Sequence, residues 1–178
     1  EKYGTSAQGV NWTSRQTQDI RFKIFFNFLP KNIHSLVDAG CGFADLYTYM
    51  QKEDILPKKY TGIDSIAAMC TIAKENTKQN ILHRDITRDE LPSSEYYVCS
   101  GAMNILNPYE THLFIRNCFQ ACTHGFVFNI LCGDKQSTTY NYLTKERIHA
   151  IAQSLNVTRV QLQENYLEND ITVGFFHV

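Results

Sequence analysis

Residues 34–46 read His34-Ser35-Leu36-Val37-Asp38-Ala39-Gly40-Cys41-Gly42-Phe43-Ala44-Asp45-Leu46. The β-type run Leu36-Val37 ends in an acid, a glycine turn follows, and a helix-like segment starts at once. Glycines at 40 and 42 permit a sharp turn and a close approach of backbone to a ligand. The amides that open the next helix are expected to face the same space. A second acid, Asp64, closes another β-type run, Tyr60-Thr61-Gly62-Ile63. The stretch from Asp38 to Asp64 therefore reads as the first half of a nucleoside-binding α/β unit.

The charges around the turn indicate the kind of ligand. In the dinucleotide fingerprint G-x-G-x-x-G/A, counting from Gly40 and Gly42, the third small residue falls at 45. That position holds Asp45, where a pyrophosphate would press on the helix start, and Asp38 adds a second acid two residues before Gly40. Both oppose a phosphate and suit an ammonium or sulfonium centre.

The run Asp38-Ala39-Gly40-Cys41-Gly42-Phe43-Ala44 resembles motif I, D/E-x-G-x-G-x-G, of the class I S-adenosylmethionine-dependent methyltransferases, with Ala44 at the third glycine. Asp64 is similar to the motif II acid, which in that family grips both ribose hydroxyls. A carboxylate suits this because it accepts two hydrogen bonds at once. Asn80-Ile81-Leu82-His83-Arg84-Asp85-Ile86 resembles motif III, which implies Asp85 as reader of the adenine amino group and Ile86 against the ring. Tyr96-Tyr97-Val98-Cys99-Ser100 stands for the motif IV strand, but Ser100-Gly101 replaces the acid many members carry there, and no catalytic acid or base is named.

The resemblance implies a cofactor site built from Asp38, Ala39, Gly40, Cys41, Gly42, Asp64, Ser65, Ile66, Asp85, Ile86, Ser100 and Gly101. It also draws in Trp12-x-Ser14-x3-Gln18-x2-Arg21-Phe22, because in several small methyltransferases such an N-terminal segment folds over the cofactor. Arg21 is expected to pair with the methionine carboxylate, and Trp12 to lie near the sulfonium. A packing tryptophan and a solvated arginine is the plain alternative. The implied fold is α/β: a three-layer Rossmann-like methyltransferase fold with a mainly parallel seven-stranded sheet and a C-terminal antiparallel hairpin. The implied activity is transfer of the methyl group of S-adenosylmethionine to a small-molecule acceptor, leaving S-adenosylhomocysteine.

Bulk properties bound the partners. The chain has 178 residues, which favours one domain over 1–178. Its expected parts are an N-terminal lid segment and helix (1–30), a cofactor-binding core (34–131) and a substrate-side loop, helix and hairpin (132–178). Net charge is −1, so nothing global attracts nucleic acid or an anionic membrane. No apolar run approaches the ~20 residues that cross a bilayer. The six cysteines sit among apolar neighbours or in loops, and no metal ligand set is expected from Cys118-x3-Cys122-x-His124. With no disulfide framework indicated, a reducing cytoplasm is the expected compartment.

Element signals follow the same layout. Helices are expected over 14–28 with Ser14 as cap, 43–52, 66–78, 108–122 and 144–154. The first presents Ile20, Ile24, Phe25 and Phe28 at helical spacing. Strands are expected over 34–39, 59–63, 80–84, 95–100 and 125–131. A hairpin of 157–163 and 171–178 follows, joined through Glu168-Asn169-Asp170. Asn107-Pro108-Tyr109-Glu110 reads as a helix start rather than an amine-methylase motif. Asp134, Tyr140 and Tyr142, in the loop after the fifth strand, are expected at the mouth of the pocket. Three other functions stay open: a cofactor binder without catalysis, a nicotinamide-dependent oxidoreductase, which Asp45 disfavours, and a nucleic-acid or protein methylase.

Overall fold

The computed structural model describes residues 15–178. The expected lid segment 1–13, with Trp12, and the helix cap Ser14 lie outside the described residues.

The elements run α1 (Arg15–Phe25), β1 (Ser35–Ala39), α2 (Asp45–Lys52), β2 (Lys59–Asp64), α3 (Ala67–Thr77), β3 (Asn80–His83) and β4 (Ser94–Ser100). A 3₁₀ turn (Ala102–Ile105) leads to α4 (Pro108–Ala121), β5 (Cys122–Cys132), β6 (Tyr142–Leu143), α5 (Lys145–Ser154), β7 (Arg159–Gln163) and β8 (Asp170–Phe176). Among the described residues the strands form one sheet in the order β3-β2-β1-β4-β5-β8-β7, with β6 on β5. The pairings among β1 to β5, and β5 with β6, are parallel; β8 runs antiparallel to both β5 and β7. The sheet thus has the expected α/β layout and hairpin but eight strands instead of seven.

The extra strand has a local cause. β5 pairs with β4 only as far as Asn129, so Leu131 and Cys132 extend past the neighbouring strand and leave an open edge. Tyr142 and Leu143 dock there. A two-residue strand carries no period of its own, so the sequence pattern over 132–143 shows only a loop.

The strands bury both faces. Phe22 and Phe25 of α1, Leu46 and Met50 of α2 and Cys70 and Ala73 of α3 pack with Leu36, Tyr60, Val98 and Val127 on one side. Phe114, Ile115 and Phe119 of α4 and Ile148 and Ile151 of α5 pack with Val37, Tyr97, Phe128 and Phe175 on the other. The result is three layers around a sheet whose strand order reverses between β1 and β4, the place where such sheets open a crevice at their carboxyl ends.

Two helices differ instructively from their sequence patterns. α1 ends at Phe25, not Phe28, and its buried face runs through Gln18, Arg21, Phe22 and Phe25 rather than Ile20 and Ile24. The polar members are tolerated because each finds a partner across the fold: Arg21 with Asp170, Gln18 with Asp45. α4 begins as expected. Asn107 accepts from Glu110 N–H at 2.9 Å while the Glu110 carboxylate accepts from Asn107 N–H at 3.1 Å, a reciprocal cap with Pro108 in the first turn.

Candidate functional site

The crevice at the β1/β4 switch contains a cavity of about 220 Å³. Its floor is the turn after β1. Gly40 has φ 75° and Gly42 φ 55°, and Ala44, at the family's third glycine, holds φ 62° with no exposed surface. Left-handed backbone costs a non-glycine residue roughly 1–2 kcal/mol, so the substitution at 44 is accommodated rather than free.

The turn keeps most of its amides for itself. Gly40 and Cys41 N–H both donate to Ile63 O, at 2.8 and 2.9 Å, and Ala44 N–H donates to Cys41 O at 2.8 Å. Gly42 N–H donates to Asp64 Oδ2 and Ile66 N–H to Asp64 Oδ1, each at 2.9 Å. Of the amides at the start of α2, which were expected to face a ligand, Ala44 N–H is bonded within the turn. A dinucleotide site presents such amides to a pyrophosphate; here they are spent on two carbonyls and a carboxylate. Asp64 also does more than the motif implied, since it fastens the β1–α2 turn to the β2–α3 turn. Each carboxylate oxygen still has a second lone pair for a ligand hydroxyl.

Asp38 is buried at the end of β1, and Tyr60 OH donates to its Oδ2 at 2.8 Å. Register explains the pairing. Asp38 stands opposite Gly62, which has no side chain, so it meets Tyr60 two residues back on the same face. Burial pushes the Asp38 carboxyl up to about 7; the Tyr60 bond pulls it down, and the charges of Asp64 and Asp45 push it further up. Asp45, on the cavity wall, is answered from α1 by Arg15 and by Gln18 Nε2 at 3.2 Å.

The structure brings most of the expected residues together. Asp38, Gly40, Cys41 and Gly42 from the first turn line the cavity, with Asp64, Ser65 and Ile66 from the second. Asp85 and Ile86 line it after β3, and Ser100 and Gly101 after β4. Ala39 is fully buried beneath the turn and does not line it. Asp85 is partly committed to its own loop: Oδ1 accepts from Thr87 N–H at 2.9 Å and Thr87 Oγ1 at 2.7 Å, and these bonds, the hydroxyl first, hold its pKa below the usual carboxylate value. Ser100 Oγ accepts from Asn129 Nδ2 at 3.1 Å.

Arg21 is placed differently. Its guanidinium is buried against Asp170, with Nε 2.9 Å from Oδ2 and Nη2 on the same oxygen, and it does not line this cavity. The resemblance implied a ligand carboxylate for Arg21; its protein partner lies 149 residues along the chain, beyond the reach of any local signal. The motifs also missed Met69, Leu106 and Phe114, which form apolar wall, and Tyr60 behind Asp38. No local signal marked them, since each reaches the site only through strand register or helix packing. The cysteines are free. Burial raises the thiol pKa values of Cys41, Cys99, Cys118 and Cys122, which keeps them protonated and unreactive.

No family model and no curated protein matches the sequence. Solved structures share the fold. A Leishmania major S-adenosylmethionine-dependent methyltransferase aligns with a TM-score of 0.77 at 15% identity, over 98% of this chain and 78% of that one. Magnesium protoporphyrin IX methyltransferase from Synechocystis with bound S-adenosylmethionine gives 0.66 at 12% identity, over 96% and 79%. Human N-acetylserotonin methyltransferase in complex with S-adenosylmethionine gives 0.65 at 14% identity over 81% of this chain, which spans 47% of that protein's length.

Proposed function

The chain has the class I S-adenosylmethionine-dependent methyltransferase fold, and from that premise we propose that it binds S-adenosylmethionine in the 220 Å³ cavity and transfers the methyl group to a small-molecule acceptor. The observation that carries this reading is the chemistry of the first turn. Asp38, Asp45 and Asp64 surround the cavity, while the amides of Gly40, Cys41, Gly42 and Ala44 in the turn are already bonded. That combination favours a nucleoside with a cationic tail over a dinucleotide.

Bound there, the cofactor supplies a methyl group already activated on a sulfonium. The residues then have positional work. Asp64 accepts the ribose hydroxyls with its remaining lone pairs. Ile86, Met69 and Phe114 provide apolar wall for the base, and the free lone pairs of Asp85 lie at its edge. Asp38, held by Tyr60, faces the ammonium. Holding donor and acceptor in line and excluding water can supply most of the rate enhancement, and a dedicated base is not required. On this reading the chain is one methyltransferase domain, with 34–131 holding the cofactor and 132–178 facing the acceptor.

Asp64→Ala tests the assignment. A hydrogen bond to a charged group contributes ~1.5–3 kcal/mol, so affinity for S-adenosylhomocysteine falls roughly ten- to a hundredfold by calorimetry. Because Asp64 also ties Gly42 to Ile66, Asp64→Asn, which keeps one acceptor oxygen, is measured beside it and falls between the two. Titration of the wild type with NAD(H) shows no binding. An Asp64→Ala protein that keeps its fold and its full affinity removes the ribose assignment, and tight NAD(H) binding removes the methyltransferase reading.

A further inference from the structure

A second, larger cavity of about 530 Å³ adjoins the first. Gly101, Ala102 and Ile105 line both, so the 3₁₀ turn after β4 is the wall they share. Tyr140 and Tyr142, expected at the mouth of the first pocket, line this second cavity instead; Asp134 lines neither.

The residue that gives the second cavity a direction is Asn104. Its Oδ1 accepts from Leu131 N–H at 3.1 Å, and its backbone carbonyl accepts from Asn141 N–H at 2.7 Å. The Leu131 amide can only donate, so it fixes which end of the Asn104 amide is oxygen. The Nδ2 end, with two donors, has no acceptor among the described residues. Asn104 is half-buried and lines the second cavity but not the first. A donor pair held rigidly from behind is suited to an incoming oxygen, because its orientation is set before the ligand arrives.

The surrounding wall narrows the class. The Lys135 ammonium lies 5.9 Å from the centre of the Tyr142 ring and makes no ion pair among the described residues. The other cation lining this cavity, Arg21, is bound to Asp170. Glu168, on the turn between β7 and β8, also lines the cavity, and its carboxylate takes the Asn169 side-chain amide at 3.4 Å. The cavity therefore offers an uncommitted amide donor, an uncommitted ammonium and two tyrosine rings.

We propose that this second cavity receives the methyl acceptor, that the acceptor is a hydroxylated aromatic carboxylate, and that Asn104 Nδ2 is the positioning donor for its carboxylate oxygen. The proposal rests on the cofactor reading of the adjoining cavity. The rings of Tyr140 and Tyr142 flank the aromatic ring, Lys135 balances the carboxylate charge, and the hydroxyl is left facing the shared wall at Gly101 and Ala102.

The test is binding of salicylate to the protein, followed by calorimetry with and without saturating S-adenosylhomocysteine, beside cyclohexanecarboxylate as the non-aromatic counterpart. Salicylate binds saturably, and cyclohexanecarboxylate binds at least about tenfold more weakly. Asn104→Asp keeps the oxygen that accepts from Leu131 but replaces the donor with a negative charge. Its affinity for salicylate falls at least about tenfold while thermal stability and S-adenosylhomocysteine affinity stay at wild-type values. Lys135→Gln lowers salicylate affinity severalfold. No saturable salicylate binding, or equal affinity in the wild type and Asn104→Asp, overturns the proposal. Failure of S-adenosylhomocysteine to bind overturns the cofactor reading instead, and the titration without it still reports on the second cavity.

Discussion

Gly40→Val will lose S-adenosylhomocysteine binding altogether and will lower the melting temperature by roughly 10 °C. The structural reason differs from the one the motif suggests. A Cβ at position 40 meets the Cβ of Ala102, in the 3₁₀ turn after β4, rather than open cavity. It must also adopt φ 75°, a region that costs an ordinary residue roughly 1–2 kcal/mol and a β-branched one more. Overpacking adds ~1–3 kcal/mol, so about 3 kcal/mol of stability is lost, and a chain of this size changes its melting point by ~2–4 °C per kcal/mol. The displaced residues, Gly101, Ala102 and Ile105, form the wall common to both cavities, so the cofactor site is distorted even where the protein stays folded. Gly40→Ala, with the same backbone strain and less bulk, loses less stability and weakens binding in proportion. Thermal unfolding and calorimetry on the two variants check this. A Gly40→Val protein that melts and binds like the wild type would mean that the turn is not the floor of the site.

Asp38→Asn is expected to act in opposite directions on stability and binding. In the fold the Asp38 carboxyl sits at about 7, pushed up chiefly by burial, whereas in an unfolded chain it titrates near ~3.9. The folded state therefore holds this proton more tightly. Below ~4 both states are protonated and nothing is lost; between ~4 and ~7 the empty protein becomes less stable as pH rises. At ~1.4 kcal/mol per unit the cumulative loss at pH 8 is about 4 kcal/mol. Asparagine keeps an oxygen for Tyr60 OH and has no proton to lose. After the cost of its own buried amide, about 2 kcal/mol at any pH, the empty variant is more stable than the wild type by about 2 kcal/mol at pH 8; the difference vanishes near pH ~5.5 and reverses to about 2 kcal/mol in favour of the wild type at pH 4. Binding runs the other way. A cationic ligand draws Asp38 into its ionised form, so wild-type affinity for S-adenosylhomocysteine holds above pH 7 and falls by up to about tenfold per unit below it. Asp38→Asn binds weakly and with no such pH dependence. Parallel melting curves from pH 4 to 8 and calorimetry over the same range decide the matter. Identical pH slopes in the two proteins would show that Asp38 is neither the strained group nor the ligand's partner. A stability gain matched by lost binding is the pattern of a residue kept for function at the expense of the empty fold.

The same two residues mark the boundary between what is local and what is not. The order of strands and helices, the glycine turn between Asp38 and Asp45 and the reciprocal cap of Asn107 and Glu110 were legible in the chain alone. Each rests on residues a few positions apart, and backbone sterics, alternation and capping act over that range. The expectation of a cationic ligand is local in the same way, because it rests on two acids flanking one turn. The chain alone did not disclose that Asp64 spends both oxygens on the amides of Gly42 and Ile66, or that Tyr60 reaches Asp38 past the bare Cα of Gly62. Nor did it disclose that Arg21 faces Asp170 from 149 residues away, or that β6 fills the edge left by an overlong β5. These pairings follow from strand register and from which helix lies over which sheet face. A shift of one residue in any strand would turn its side chains to the opposite face. The burial that sets them is a property of the assembled layers, so the charge state of Asp38 and the shared wall between the two cavities exist only once the sheet has closed around them.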